Sequence, residues 1–150
     1  GNTETVSGLT HSLTNEQWYS LLQITEEDYR TPVHYAAESG NTETVSGLTH
    51  SLTNEQWFSL LQTTDENSRS PVHCAAISGI TEIVSGLTQS LTNKQCYSLL
   101  MMKDKSDITP VHAVAGGVHG HDLLSALKKA ITPEQLIDLI SIPLPKFIYQ

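Results

Sequence analysis

The chain repeats its own sequence with a period of 39 residues, and this feature constrains the fold more than any other. Residues 1–25 read GNTETVSGLTHSLTNEQWYSLLQIT, and residues 40–64 repeat this string with two substitutions. A third copy starts at Gly79, and a looser fourth copy covers residues 121–140. Such periods are typical of units that stack on one another, because one unit alone cannot bury its apolar face. The repeat therefore predicts a solenoid that grows by units.

The charge balance narrows the range of partners. Asp and Glu number 16 against 8 Lys and Arg, so the formal net charge is −8. This balance argues against nucleic acid and against an anionic membrane surface, because both need clustered cations on the protein. No apolar run approaches the roughly 20 residues that span a bilayer.

The two cysteines, Cys74 and Cys96, occupy different positions of the unit and have no counterparts in the other copies. A disulfide framework would recur with the repeat, so we expect two free thiols in a reducing compartment. The chain also has no Asn-x-Ser/Thr glycosylation sequence. These observations favour an intracellular location, in the cytoplasm.

Two kinds of helix start recur in every unit. A hydroxyl residue followed by proline stands at Thr31, Ser70 and Thr109, and this pair predicts the start of a first helix, A. Helix B follows, with apolar residues spaced as on one helix face. A second hydroxyl residue is followed by Gln three positions later, which is a capping box and predicts a third helix, C, over about residues 54–62 and 93–101. The predicted fold is an all-α solenoid of about three helices per 39-residue unit.

Residues 31–45, TPVHYAAESGNTETV, resemble an ankyrin repeat, whose pattern begins T-P-L-H-x-A-A and continues to a Gly. The stretches that start at Ser70 and Thr109 match the same pattern. The usual ankyrin unit has about 33 residues, so we interpret this chain as a 39-residue variant with an extra short helix. The connector Gly of the family is replaced by Tyr29, Ser68 and Asp107. These replacements argue against the protruding β-hairpin of the family, because its tight turn normally relies on Gly.

The pattern divides the chain into a partial first repeat, three further repeats and a tail. The partial repeat covers residues 1–30 and carries helices B and C; the repeats cover 31–69, 70–108 and 109–142. The missing first helix A suggests either a fragment of a longer array or a cap. Residues 143–150 are either a cap that folds back over the last unit or an untethered tail.

The recurrent histidines His34, His73 and His112 invite a metal-binding interpretation. Equivalent residues on neighbouring helices lie about 8–10 Å apart, whereas zinc ligands lie near 2 Å from one shared ion. We therefore expect buried or half-buried histidines without a metal, and the ankyrin resemblance implies that each one hydrogen-bonds within the connector network. The pair His119 and His121 is a weaker metal candidate, since no Cys or carboxylate stands at ligand spacing.

Aromatic residues of helix C fall on two faces. Trp18 and Trp57 are expected to pack in the core between units, with a ligand cage as the less favoured interpretation. A second stripe lies one position round and is expected to be partly exposed; it comprises Tyr19, Phe58, Tyr97 and Ile137. No nucleophile–base–oxyanion set, phosphate loop or cofactor motif is found, so we predict neither an enzyme nor a cofactor.

The ankyrin resemblance implies a protein-interaction scaffold that contacts a protein partner through helix A faces and connectors. Core positions such as Val33, Val72 and Val111 are the same in each copy, whereas outward positions differ between copies. The predicted contact residues are Asp28, Arg30, Tyr35, Glu38, Ser39, Glu66, Asn67, Arg69, Cys74, Ile77, Ser78, Lys105 and Ser106. Two alternatives stay open at this stage. The outward positions could vary because nothing selects them, and the array could be a structural spacer or an arm that self-associates end to end.

Overall fold

The computed structural model describes residues 14–49, 51–78, 81–115 and 120–143, and within these ranges it contains ten α-helices and no strand. In chain order they are α1 (Asn15–Leu22), α2 (Pro32–Ser39), α3 (Thr42–Thr49), α4 (Asn54–Leu61), α5 (Pro71–Ser78), α6 (Thr81–Thr88), α7 (Asn93–Leu100), α8 (Pro110–Ala115), α9 (Gly120–Ala130) and α10 (Pro133–Ile140). The all-α prediction is confirmed for these residues.

The helices recur in the order that the capping signals predict. Helix A is α2, α5 or α8; helix B is α3, α6 or α9; helix C is α1, α4, α7 or α10. The two helices C predicted over residues 54–62 and 93–101 are α4 and α7, one residue shorter at the end. Several other expectations lie outside the described residues. They concern helix B of residues 1–13, a helix stop at Gly79, the bend around His119, and the tail or cap of residues 144–150.

Each helix C starts with a complete capping box. At α4, Thr53 Oγ1 accepts a hydrogen bond from Gln56 N at 3.1 Å, and Thr53 N donates to Gln56 Oε1 at 2.9 Å. The same reciprocal pair is found at Thr14, Thr92 and Thr132. Two of the free N–H groups at the helix start are thereby satisfied, which allows an eight-residue helix to begin at a defined residue.

Like helices stack on like helices along the array. Helix α2 packs against α5 and α5 against α8, while α3 packs against α6 and α6 against α9. Helix C joins successive units, because Trp57 is buried and its Nε1 donates to Leu87 O of the next helix B at 2.8 Å. Trp18 makes the same bond to Leu48 O at 2.9 Å. The expectation that both tryptophans belong to the core is confirmed.

The connectors between units make the tight turn that the sequence argued against. Tyr29, Ser68 and Asp107 adopt left-handed backbone conformations, with φ of 62°, 59° and 61°. In the middle connector, Asp65 N donates to Arg69 O and Ser68 N donates to Asp65 O, both at 3.0 Å. This is the pattern of a three-residue hairpin loop, although no strand flanks it in the described residues. The described residues therefore lack the strands of a β-hairpin, as expected, although the tight turn itself forms without Gly.

The side chain of an aspartate earlier in the connector stabilises this turn, which contains no glycine. The Oδ1 atom of Asp65 accepts hydrogen bonds from Asn67 N at 2.8 Å and from Arg69 N at 3.0 Å. Neighbouring connectors are also joined directly, since Glu66 N donates to Asp28 O at 2.9 Å. Lys105 N donates to Asn67 O in the same way, at 3.0 Å. These bonds offset the strain of a left-handed non-glycine residue, which costs on the order of 1–2 kcal/mol.

We expect Ser68→Gly to raise the free energy of unfolding by about 1 kcal/mol. Glycine adopts the left-handed conformation without a Cβ clash, although it loses more backbone entropy on folding. Chemical denaturation of the two proteins measures the difference. Ser68→Val is the control, since a β-branched residue at this φ should destabilise the chain; a loss of stability in the glycine variant would contradict the argument.

Candidate protein-interaction surface

A cleft between helices α2 and α5 and their connectors brings together most of the predicted contact residues. This cleft, called cleft 1, has a volume of about 250 Å³. It is lined by Asp28, Arg30, Glu38, Asp65, Glu66, Asn67, Arg69, Cys74, Ile77 and Ser78. Asp65 is the one lining residue that was not among the predicted contacts. Its place in the turn made by the middle connector brings its side chain to the cleft.

Four of the predicted contact residues do not line cleft 1. Tyr35 and Ser39 line a second cleft, cleft 2, with a volume of about 620 Å³. Its full lining is Ile24, Glu26, Arg30, Pro32, Tyr35, Ala36, Ser39, Asn41, Thr44 and Leu48, so Arg30 is common to both clefts. Lys105 and Ser106 are exposed on the following connector and line neither cleft.

Arg30 is held between the two clefts by three neighbours. Its Nη2 atom lies 2.6 Å from Glu38 Oε2, and its guanidinium lies 4.5 Å from the centroid of the Tyr35 ring. The same Nη2 atom lies 3.8 Å from Cys74 Sγ. A guanidinium stacked on an aromatic face and paired with a carboxylate is restricted in its rotamers. The Arg30 side chain is therefore held in one position at the edge of both clefts, and its charge is already paired.

Arg69 forms the opposite wall and pairs with the next connector. Its Nε atom lies 3.5 Å from Asp104 Oδ2, and the Asp104 side chain is only 3% exposed. The Oδ1 atom of Asp104 accepts hydrogen bonds from Ser106 N at 2.8 Å and Ile108 N at 3.0 Å. Arg69 thus supports the connector fold in addition to lining the cleft.

The apolar part of cleft 1 consists of Ile77 and Cys74. Ile77 is 51% exposed, as expected from its outward position on helix A. Cys74 is buried at 7% exposure, and this burial raises the pKa of its thiol to about 11. A neutral thiol is a poor nucleophile, so Cys74 contributes packing rather than reactivity. Cys74 and Cys96 are both unpaired.

The histidine of helix A joins its own helix start to the next connector. His73 Nδ1 accepts from Ser70 N at 3.2 Å, and its Nε2 donates to Ile108 O at 2.9 Å. His34 makes the same bonds to Thr31 N and Arg69 O. Burial lowers the pKa of both imidazoles, which keeps them neutral at pH 7. The expectation that these two residues are buried and hydrogen-bonded to the connectors is confirmed.

His112 differs from the other two histidines. It is buried as expected, but its Nδ1 atom has no hydrogen-bond partner among the described residues. In the part of the chain that the structure describes, no three His, Cys, Asp or Glu residues converge in a way that could hold a metal ion.

The second aromatic stripe of helix C is half-buried over Tyr19, Phe58 and Tyr97, and Ile137 is 59% exposed. Tyr19 Oη donates to Ser59 Oγ at 3.1 Å, which joins α1 to α4. Tyr19, Phe58 and Tyr97 pack against the edge of the core, so the expectation of partial exposure is confirmed for these three residues.

The sequence did not predict that the residues of cleft 2 form a cleft. Ile24, at its rim, is 59% exposed. The available signal was the Ile24/Thr63 difference between two otherwise nearly identical copies.

Comparison with known proteins agrees with this architecture. A family model described as "Ankyrin repeats (3 copies)" matches residues 1–98, which is more than half of the chain. A search of curated proteins found no match. Among the described residues, no helix is long and apolar enough to cross a membrane.

Proposed function

Because the chain belongs to the ankyrin repeat family, whose members are in general non-enzymatic protein–protein interaction modules, we propose that it binds a protein partner through cleft 1. The single observation that carries this proposal is the composition of the cleft. An exposed Ile77 lines the same cleft as two ion-paired arginines, Arg30 and Arg69. Arginine is enriched at interface centres, and the exposed isoleucine adds apolar surface that a partner could bury.

The charges of cleft 1 favour a partner segment that carries Lys or Arg. Both arginines of the cleft are already paired, one with Glu38 and the other with Asp104. Asp28, Asp65 and Glu66 have no ion-pair partner among the described residues. The surplus negative charge agrees with the net charge of −8. We therefore propose a basic segment whose aliphatic part contacts Ile77, with association that weakens as salt increases.

One exposed position of cleft 1 differs between units, whereas the buried valines of the same helices do not. Ile77 has Glu38 as its counterpart one unit earlier, while the valines at positions 33, 72 and 111 are identical and buried. This difference agrees with selection of the cleft for one partner. We further propose an intracellular location for the chain, supported by its two unpaired cysteines.

We expect Ile77→Lys to weaken partner binding at least about tenfold, which corresponds to about 1.4 kcal/mol. The substitution places a charge where the partner would bury an apolar group, and its effect on stability should be below about 1 kcal/mol because the site is exposed. Affinity capture with the parent chain and the variant identifies proteins that depend on Ile77. Titration calorimetry with the purified partner then measures the affinity.

Tyr97→Ala, on helix C, is the matched control and should leave the affinity unchanged. If Ile77→Lys binds the purified partner as tightly as the parent while Tyr97→Ala does not, then the contact surface is on helix C. That result would refute the assignment to cleft 1.

A structural spacer is the second candidate function, favoured by the regular polar ladder along helix C. Gln56 Nε2 donates to Asn15 Oδ1 at 2.8 Å, and Gln95 Nε2 repeats this bond to Asn54 Oδ1 at 2.9 Å. A regular interface of this kind suits an array selected for length. In that case the Ile77→Lys variant would capture the same proteins as the parent chain.

A further inference from the structure

The connectors between units form one row along the array. Residues 25–30, 64–69 and 103–108 occupy equivalent positions of successive units and are called connectors 1, 2 and 3; they read TEEDYR, TDENSR and KDKSDI. A backbone hydrogen bond joins each connector to the next. Helices that pack on one another lie about 8–10 Å apart, so connectors 1 and 3 lie roughly 16–20 Å apart.

The free charge of this row changes sign along the array. Ion pairs within the protein neutralise Arg30, Arg69 and Asp104. The charged residues that have no ion-pair partner among the described residues give connector 1 a charge of −3, connector 2 a charge of −2 and connector 3 a charge of +1. They are Glu26, Glu27 and Asp28 in connector 1, Asp65 and Glu66 in connector 2, and Lys103, Lys105 and Asp107 in connector 3.

The reversal arises at exposed positions and leaves the backbone unchanged. Lys105 occupies the position of Glu66 one unit earlier, and both side chains are exposed. Lys105 N donates to Asn67 O as Glu66 N donates to Asp28 O. The side chain has therefore changed sign at a conserved place in the row. Lys103 is exposed as well and adds a second positive charge to connector 3.

Ile77 lies between the two ends of this charge gradient. It is on α5, which packs against α2 on one side and against α8 on the other. Its counterpart on α2 is Glu38, whose charge is paired with Arg30. The surface therefore presents negative charge, an aliphatic side chain and positive charge in this order along the array.

From this order we propose that the partner segment of cleft 1 continues past Ile77 to connector 3, where it carries an acidic residue. The segment is then basic, aliphatic and acidic in sequence along the array. This inference rests on the function proposed for cleft 1 and adds Lys103 and Lys105 as residues that determine specificity. A carboxylate is attracted to these lysines, whereas a purely basic segment is repelled at the same place. They thereby fix the orientation and the register of the segment.

The test uses two kinds of fluorescein-labelled peptide as probes. An extended chain rises about 3.3 Å per residue, so about six residues span the distance between the charged ends of the row. The ordered peptide consists of two lysines, a serine, two leucines, a serine and two glutamates, and it is made in both chain directions. The basic peptide has lysines in place of the glutamates. Fluorescence anisotropy measures the affinity of each peptide for the purified parent chain and its variants.

We expect Lys105→Glu to weaken binding of the ordered peptide at least about fivefold and to strengthen binding of the basic peptide at least about twofold. Exposed ion pairs are individually weak, so changes of a few fold are the expected size. A structural role of Lys105 would not move the two affinities in opposite directions. Lys94→Glu, at an exposed position of α7, is the matched control. It makes the same change of charge and should leave the ratio of the two affinities unchanged.

The outcomes separate this inference from the function proposed for cleft 1. If Lys105→Glu leaves the ratio of the two affinities unchanged, connector 3 does not contact the segment and the inference is wrong. If Ile77→Lys still weakens the ordered peptide in that case, cleft 1 remains the contact surface. The inference is also wrong if neither peptide binds below about 1 mM. Affinity capture with Ile77→Lys then decides separately whether cleft 1 binds a partner.

Discussion

Trp57→Ala is expected to lower the free energy of unfolding by about 3–5 kcal/mol. The Trp57 side chain is 2% exposed and fills the space between helix α4 and the next helix B. Its removal leaves a cavity at the joint between units and leaves Leu87 O without the donor that now lies 2.8 Å away. Urea denaturation followed by circular dichroism measures the loss.

Trp57→Phe separates the contribution of the buried volume from that of the hydrogen bond to Leu87 O. Phenylalanine keeps much of the buried volume but has no N–H group, so we expect a smaller loss than for alanine. The hydrogen bond itself accounts for about 1–3 kcal/mol when its buried acceptor is left unpaired. An alanine variant as stable as the parent would show that helix C does not join the units, and the three-helix packing described here would be wrong.

His73→Leu is expected to lower the free energy of unfolding by about 2–4 kcal/mol, although leucine is apolar and of similar size. The imidazole accepts from Ser70 N and donates to Ile108 O, and leucine can do neither. Each buried polar group left without a partner costs about 1–3 kcal/mol. The loss should be measured near pH 7, where the lowered pKa of His73 keeps the imidazole neutral in the folded state.

The equivalent substitution His112→Leu is the matched control. His112 is buried in the same helix position, but its Nδ1 has no partner in the described part of the chain, so we expect a smaller loss than for His73→Leu. Equal losses in the two variants would mean that burial of the ring, and not its bonds to the connector, stabilises the array.

The helix starts could be predicted from the sequence because their causes are local. A Thr with Gln three residues later satisfies backbone groups within a single turn, so Thr53 and Thr92 mark helix C without any knowledge of the neighbours. The apolar face of helix C, with Trp57 in it, follows from the same short-range spacing. These features repeat in phase, and repetition predicts the stacking of units.

The connectors could not be predicted in the same way. A residue such as Tyr29 or Ser68 prefers other backbone conformations, so local propensity argues against the turn. The turn forms because side-chain bonds from Asp65 and a backbone bond from Glu66 to Asp28 of the neighbouring connector stabilise it. The latter bond exists only after two units have stacked.

The candidate contact surface, too, could be predicted from the sequence only in part. The sequence by itself determined that the chain is a helical ankyrin-type array and that helix A residues such as Ile77 point outward, because both follow from periodicity and from differences between copies. Only the tertiary structure decided that Arg30 and Arg69 are already paired, that Cys74 is buried, and that Ile24 and Tyr35 border a separate cleft. The physical reason is that exposure and charge pairing depend on which neighbouring unit covers a residue. Near-identical sequences at positions 39 residues apart therefore have different surroundings.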